Sequence, residues 1–152
     1  MIRFVSVALL LVSLSMFSFA QGNGSKEFDG FVDATFDQHL KFNPTHATQL
    51  GIHQYDAMLE NYSQKSVTEQ TKWCHATLAR LAKLDRSKLS SEQQIDAQLI
   101  ENWLHAQLLE LETIRMWQRN PDIYSSGIAS SAFVIMSRKY ASQDERLRLL
   151  VA

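Results

Sequence analysis

The sequence predicts an all-α fold, an irregular array of about five to six helices. Three observations carry this. Apolar residues recur at three-four spacing in one segment after another. Residues with helix-capping side chains stand just before those segments. No run shows the two-residue alternation of a half-buried strand.

The chain opens with Arg3 in a short polar start, an apolar run from Phe4 to Phe17, and Ser18-Phe19-Ala20 as a small-x-small exit. That order predicts a secretory signal peptide over 1–20, cleaved after Ala20, and an exported, periplasmic or secreted, product. A membrane span needs about 20 apolar residues. This run is shorter and is interrupted by Ser6, Ser13 and Ser15, so no stable membrane anchor is expected after cleavage. Residues 21–152 then form one helical unit.

Composition narrows the function classes. At 45% hydrophobic and 20% charged the chain reads as globular, and a net charge of -1 gives no electrostatic reason to expect nucleic acid as partner. Cys74 is the single cysteine, so no internal disulfide is available. It falls inside a helical pattern, where a small buried hydrophobe is expected.

The first helix covers about Glu27 to Lys41. Phe28, Phe31, Val32, Thr35, Phe36, His39 and Leu40 share one stripe, and Asp29, Asp33 and Asp37 stack on the opposite, solvated side. Asn43-Pro44 restarts the chain as N-cap and first helical residue. Gly51 closes that short helix, since a left-handed terminal residue suits glycine. The break puts His53 in a loop, out of register with His46, so the two imidazoles need not converge on a metal.

Ser66-Val67-Thr68-Glu69 reads as a capping box for a helix ending near Asp85, with Trp73, Thr77, Leu81 and Leu84 on its inner stripe. Ser90 with Gln93 is a second box. It opens one long helix over 91–119 that carries apolar residues on more than one side, including Ile95, Leu99, Ile100, Leu104 and Leu108. Such a helix needs several neighbours. Glu101 with His105, and Glu112 with Arg115, are spaced as local surface pairs. Asn120-Pro121 stops the helix. Tyr124-Ser125-Ser126-Gly127 reads as a loop, Ser130 to Tyr140 as a further helix, and Ser142 with Glu145 as a third box. No closing glycine, asparagine or proline follows, which predicts the amino-terminal portion of a larger helical protein.

The candidate functional residues are His53, Tyr55 and Asp56, a polar cluster past a helix end, and Arg115, Trp117 and Tyr124 further on. A loop there can present side chains to a ligand, or the cluster can simply tie the loop down. Arg115 can pair with a peptide carboxylate bidentately, or with an intramolecular partner such as Glu112.

F-D-G-F-V-D-A-T-F-D at 28–37, N-P-T-H-A-T-Q-L-G-I-H-Q-Y-D at 43–56, L-S-S-E-Q-Q-I-D at 89–96 and L-L-E-L-E-T-I-R-M-W-Q-R-N-P-D-I-Y at 108–124 together resemble the bacterial family catalogued as domain of unknown function 885. The resemblance implies an exported or membrane-associated helical enzyme of the zinc-peptidase type. Its metal signature, H-E-x-x-P-G-H-H, lies in a later portion. In that signature two histidines one turn apart hold zinc and the glutamate takes a proton from bound water. This chain contains no H-E-x-x-H. No catalytic residue, metal ligand or cofactor is therefore expected within it, and zinc is implied only for a missing carboxy-terminal part. The expected partners are the remainder of its own polypeptide and a peptide substrate. The other reading is a stand-alone periplasmic helical module that binds without catalysis. A small complete enzyme built on His53, Tyr55 and Asp56 is a third.

Overall fold

The structure, a computed structural model, describes residues 23–151. The signal peptide expected over 1–20 lies outside them. Helices α1 (Asn23–Phe42) and α2 (Pro44–Leu50) lead through a 3-10 turn (His53–Tyr55) to α3 (Gln64–Leu81), and a second 3-10 turn (Arg86–Lys88) leads to α4 (Ser91–Leu108). A π-helical turn (Leu109–Ile114), the short α5 (Met116–Arg119), α6 (Asp122–Ser137) and α7 (Gln143–Leu150) complete the order, with no strand among the described residues. The all-α class holds. No helix among the described residues is long and apolar enough to cross a membrane.

The helix ends follow local chemistry. Gly51 closes α2 at φ 84°, the left-handed region, and the chain re-enters at Ile52, whose N–H reaches Ala47 O at 2.9 Å. Ser90 and Gln93 form the reciprocal capping box of α4, and Ser142 accepts from the Glu145 N–H at the start of α7. The third helix begins earlier than Ser66. Its N-cap is Ser63, whose hydroxyl accepts from Ser66 N at 3.3 Å. Gln64 and Lys65 are good helix formers, so the earlier cap gains helix without penalty. The helix also ends sooner, at Leu81, because Asp85 starts its own turn by accepting from the Ser87 N–H and hydroxyl.

Two stretches depart from expectation more sharply. Tyr124 to Gly127 is not a loop but the first half of α6. Asn120 Oδ1 accepts from Asp122 N at 3.0 Å and the Ser125 hydroxyl reaches Asp122 O at 3.2 Å, offsetting the weak helix propensity of Ser and Gly. The expected helix over 91–119 is realised in three pieces. After Leu108 the ladder widens to i→i+5, Arg115 N–H bonding Glu110 O at 2.8 Å, and Arg115 itself is left-handed at φ 56°. Carbonyls freed by the break are taken by side chains: Trp117 Nε1 donates to Leu111 O at 3.1 Å and Arg115 Nε to Glu112 O at 2.8 Å.

The core has two centres. Phe28 and Phe31 of α1 meet Leu81, Leu89 and Ala97, and Cys74 of α3 meets Leu104 and Leu108 of α4. Cys74 is fully buried, as expected of a structural thiol, and burial pushes it up to about 11. Ile100 joins both centres, and the Trp73 and Trp103 rings close the second at a 6.0 Å centroid spacing. Packing of α2 on α6, and of α6 on α7, forms the other half of the chain. The opposite faces stay bare. Ile95 and Leu99 of α4 are 61% and 60% exposed, and Phe133 of α6 is 71% exposed. Asp29, Asp33 and Asp37 lie on the solvated side of α1.

Candidate functional site

The left-handed Gly51 turns the chain back so that the 3-10 turn sets Asp56 against α2. The Asp56 side chain is only 2% exposed. Its Oδ1 accepts from the Thr48 hydroxyl at 2.7 Å and its Oδ2 meets His53 Nδ1 at 2.9 Å. A buried carboxylate needs such donors, because desolvation without them costs several kcal/mol. Since a carboxylate only accepts, Nδ1 of His53 is the donor of this pair, on a side chain 35% exposed.

Tyr140, from the connection between α6 and α7, lies flat on the His53 ring at a centroid distance of 3.7 Å. Its buried hydroxyl sits beside the Asp56 carboxylate in a geometry too poor for a full hydrogen bond. Burial and the adjacent carboxylate push the phenol up to about 12. Arg146 is inserted nearby and donates to Ile135 O and Met136 O. Of the three residues read as one cluster, the structure joins His53 and Asp56 and leaves Tyr55 half-buried, with no side-chain hydrogen bond among the described residues. The cluster's other members are Thr48 and Tyr140, which no sequence motif marks as site residues. Thr48 lies eight residues before Asp56, but nothing local brings Tyr140 to it.

His46 does not approach this cluster. Its Nδ1 faces His39 Nε2 at 3.2 Å, and His39 is held below the usual imidazole range by burial and then by His46. Asn43 Nδ2 donates to the other nitrogen of His39 at 3.1 Å.

The second group forms at the π turn. Trp117 is fixed through its indole N–H, and Tyr124 donates to Trp117 O at 2.6 Å. Tyr124 also meets Tyr62 edge to face. Arg115 pairs with the Glu112 backbone, not its carboxylate, because that carboxylate is taken by His75 Nε2 at 3.0 Å. Glu101 likewise pairs with Arg86 at 2.6 Å and not with His105. A groove of about 430 Å³ opens between α3 and the π turn, and Arg115 and Trp117 line it together with Lys72 and Glu112. Tyr124 lines a separate recess with Leu59 and Ile128.

The family model described as "Bacterial protein of unknown function (DUF885)" matches residues 44–152. The chain belongs to this family. Both groups of candidate residues fall inside the span that defines DUF885 membership here. Among solved structures, this DUF885 chain is similar to a provisionally assigned lipoprotein of unknown function from Shewanella oneidensis, at 27% identity and a TM-score of 0.72. That match covers 82% of this chain and 22% of the other, so this chain spans about a fifth of the length of its structural relative. No curated protein matches.

Zinc is the metal that the family resemblance implies. Among the described residues there is no group of three or more His, Cys, Asp or Glu side chains placed to hold an ion. The described residues do not fit a zinc centre.

Proposed function

We propose that this DUF885 chain is the amino-terminal helical part of an exported, zinc-dependent, peptidase-like hydrolase. Polypeptide beyond these residues supplies the metal motif, and the helices described here pack beside it and wall its substrate cleft. The observation that supports the chain's placement in a longer protein is the 22% coverage of a solved relative whose fold matches over most of this chain, and the zinc-peptidase part of the reading rests on the family resemblance. The bare apolar faces around Ile95, Leu99 and Phe133 add support, because exposed aliphatic and aromatic side chains grouped on packed helices are suited to covering by further protein.

In this arrangement the chain's own residues bind and orient. His53, fixed by Asp56 and Tyr140, offers a partly exposed imidazole, and Arg115 and Trp117 offer a cation and an aromatic face at the groove. Neither group performs bond cleavage alone.

The test begins by reading the coding sequence beyond Ala152 and producing the longer polypeptide. Stoichiometric zinc by elemental analysis, with chelator-sensitive cleavage of a mixed peptide pool, is the expected result. A stop codon directly after Ala152, or a longer product without zinc and without cleavage, overturns the reading. In the former case a self-contained binding module takes its place, expected to be monodisperse and cooperatively folded.

A further inference from the structure

The groove between α3 and the π turn combines features that point to a ligand of definite chemistry. Buried Val67 and half-buried Leu111 and Trp117 provide its apolar part. Exposed Lys72 and Arg115 provide two cations, and no carboxylate among the described residues forms an ion pair with either. Glu112 is the groove's carboxylate, already engaged by His75. Arg115 is held by its Nε bond to Glu112 O, so the terminal guanidinium nitrogens are left as a fork. Such a fork matches a carboxylate through two parallel hydrogen bonds.

The backbone is also unusual here. A π-helical turn and a left-handed, non-glycine residue coincide at Arg115, and both kinds of deviation recur at binding sites. They matter because they turn the arginine out of the α4 register and into the groove lining.

We propose that this groove captures the free α-carboxylate of a peptide. Arg115 grips the carboxylate bidentately, Lys72 adds a second charge, and an apolar terminal side chain lies against Trp117. Naming a peptide as the carrier of that carboxylate rests on the peptidase reading above. The carboxylate chemistry does not.

The experiment titrates acetyl-Leu-Leu with a free terminus into the isotopically labelled chain, and in parallel its terminal amide, following the Trp117 indole N–H and Arg115 Nε–H resonances. The acid is expected to shift both saturably. The amide, R115Q and K72Q are each expected to bind about tenfold more weakly or worse, which corresponds to about 1.4 kcal/mol. R115K, which keeps the charge but loses the fork, should recover only part of the affinity. Equal binding of acid and amide, no saturable shift, or unchanged affinity in K72Q overturns the proposal. K72Q serves because the Lys72 side chain makes no ion pair among the described residues, so its loss of binding is not a loss of folding. With the longer polypeptide, cleavage that is indifferent to amidation of the substrate's end would sink this proposal and leave the peptidase reading standing. Absence of any cleavage, with acid-selective binding retained, would do the reverse.

Discussion

The ring of His53 lies flat against that of Tyr140, with centroids 3.7 Å apart and planes inclined by 11°, while its Nδ1 meets Asp56 Oδ2 at 2.9 Å. The imidazole is thereby held on one face by a residue 87 positions away in sequence, and at one edge by a near neighbour. The pairing joins the loop after α2 to the connection before α7. It gives a loop residue the restricted rotamer that a binding or proton-accepting role requires.

Asp56 is the keystone of that cluster. Asp56→Ala removes the short bond of the buried Thr48 hydroxyl, leaving it only the longer one to Pro44 O at 3.3 Å, empties a buried site and frees the imidazole, so a loss of about 2–3 kcal/mol is expected in urea denaturation. His53→Ala leaves Asp56 Oδ2 without that donor but keeps the Thr48 bond and lets water reach the vacated, partly exposed position, so it should cost less, about 1–2 kcal/mol. Equal losses for the two variants would contradict the geometry.

Tyr140 makes stability pH-dependent at the alkaline end. Its phenol stands at about 12 in the folded chain, above the ordinary value of 10.0, because burial and Asp56 disfavour the phenolate. A raised value means that the fold holds the proton more tightly than the unfolded chain. The contribution is therefore complete below pH 10.0 and is lost as pH rises towards about 12. Tyr140→Phe should flatten the stability curve in that window relative to the parent. Absorbance titration of the two proteins should differ by one late-ionising phenol.

Cys74 is predicted to be chemically silent. It is fully buried and its thiol is pushed up to about 11, by burial first and then by Glu112. Iodoacetamide at pH 8 should label the native chain at least about a hundredfold more slowly than the urea-unfolded chain, since the thiolate is the nucleophile. Labelling at the rate of a free thiol in native buffer would show that the α3–α4 core opens readily.

Arg115 holds a conformation that glycine adopts without steric cost. Arg115→Gly loses one side-chain hydrogen bond but relieves a left-handed backbone, so stability should stay within about 1 kcal/mol of the parent. Arg115→Val, with a β-branched side chain at φ 56°, should lose about 1–3 kcal/mol. Urea melts of the pair would decide it, and a valine variant as stable as the glycine variant would show that the turn is not strained.

Much of the architecture was legible locally. The Gly51 stop and the Ser90–Gln93 box rest on interactions within a few residues, and the spacing of Phe28, Phe31, Thr35 and Leu40 marks an inward stripe whatever partner covers it; burial of Cys74 followed from its place in a helical pattern, although the residues that bury it, Leu104 and Leu108, lie in another helix. The His53–Asp56 contact was legible because it too is local. Its completion by Tyr140 was not, because stacking across 87 positions depends on how α6 lies on α2. The break at Arg115 was equally hidden. No glycine or proline marks it, and it persists because the Trp117 indole and the Arg115 guanidinium take up the carbonyls that a continuous helix would have used. Local preference determined the all-α class and the helix starts at Pro44, Ser91 and Gln143, since capping and periodicity act over one or two turns. The tertiary structure alone decided which polar side chains meet and where the groove opens, since those contacts depend on packing between segments distant in the chain.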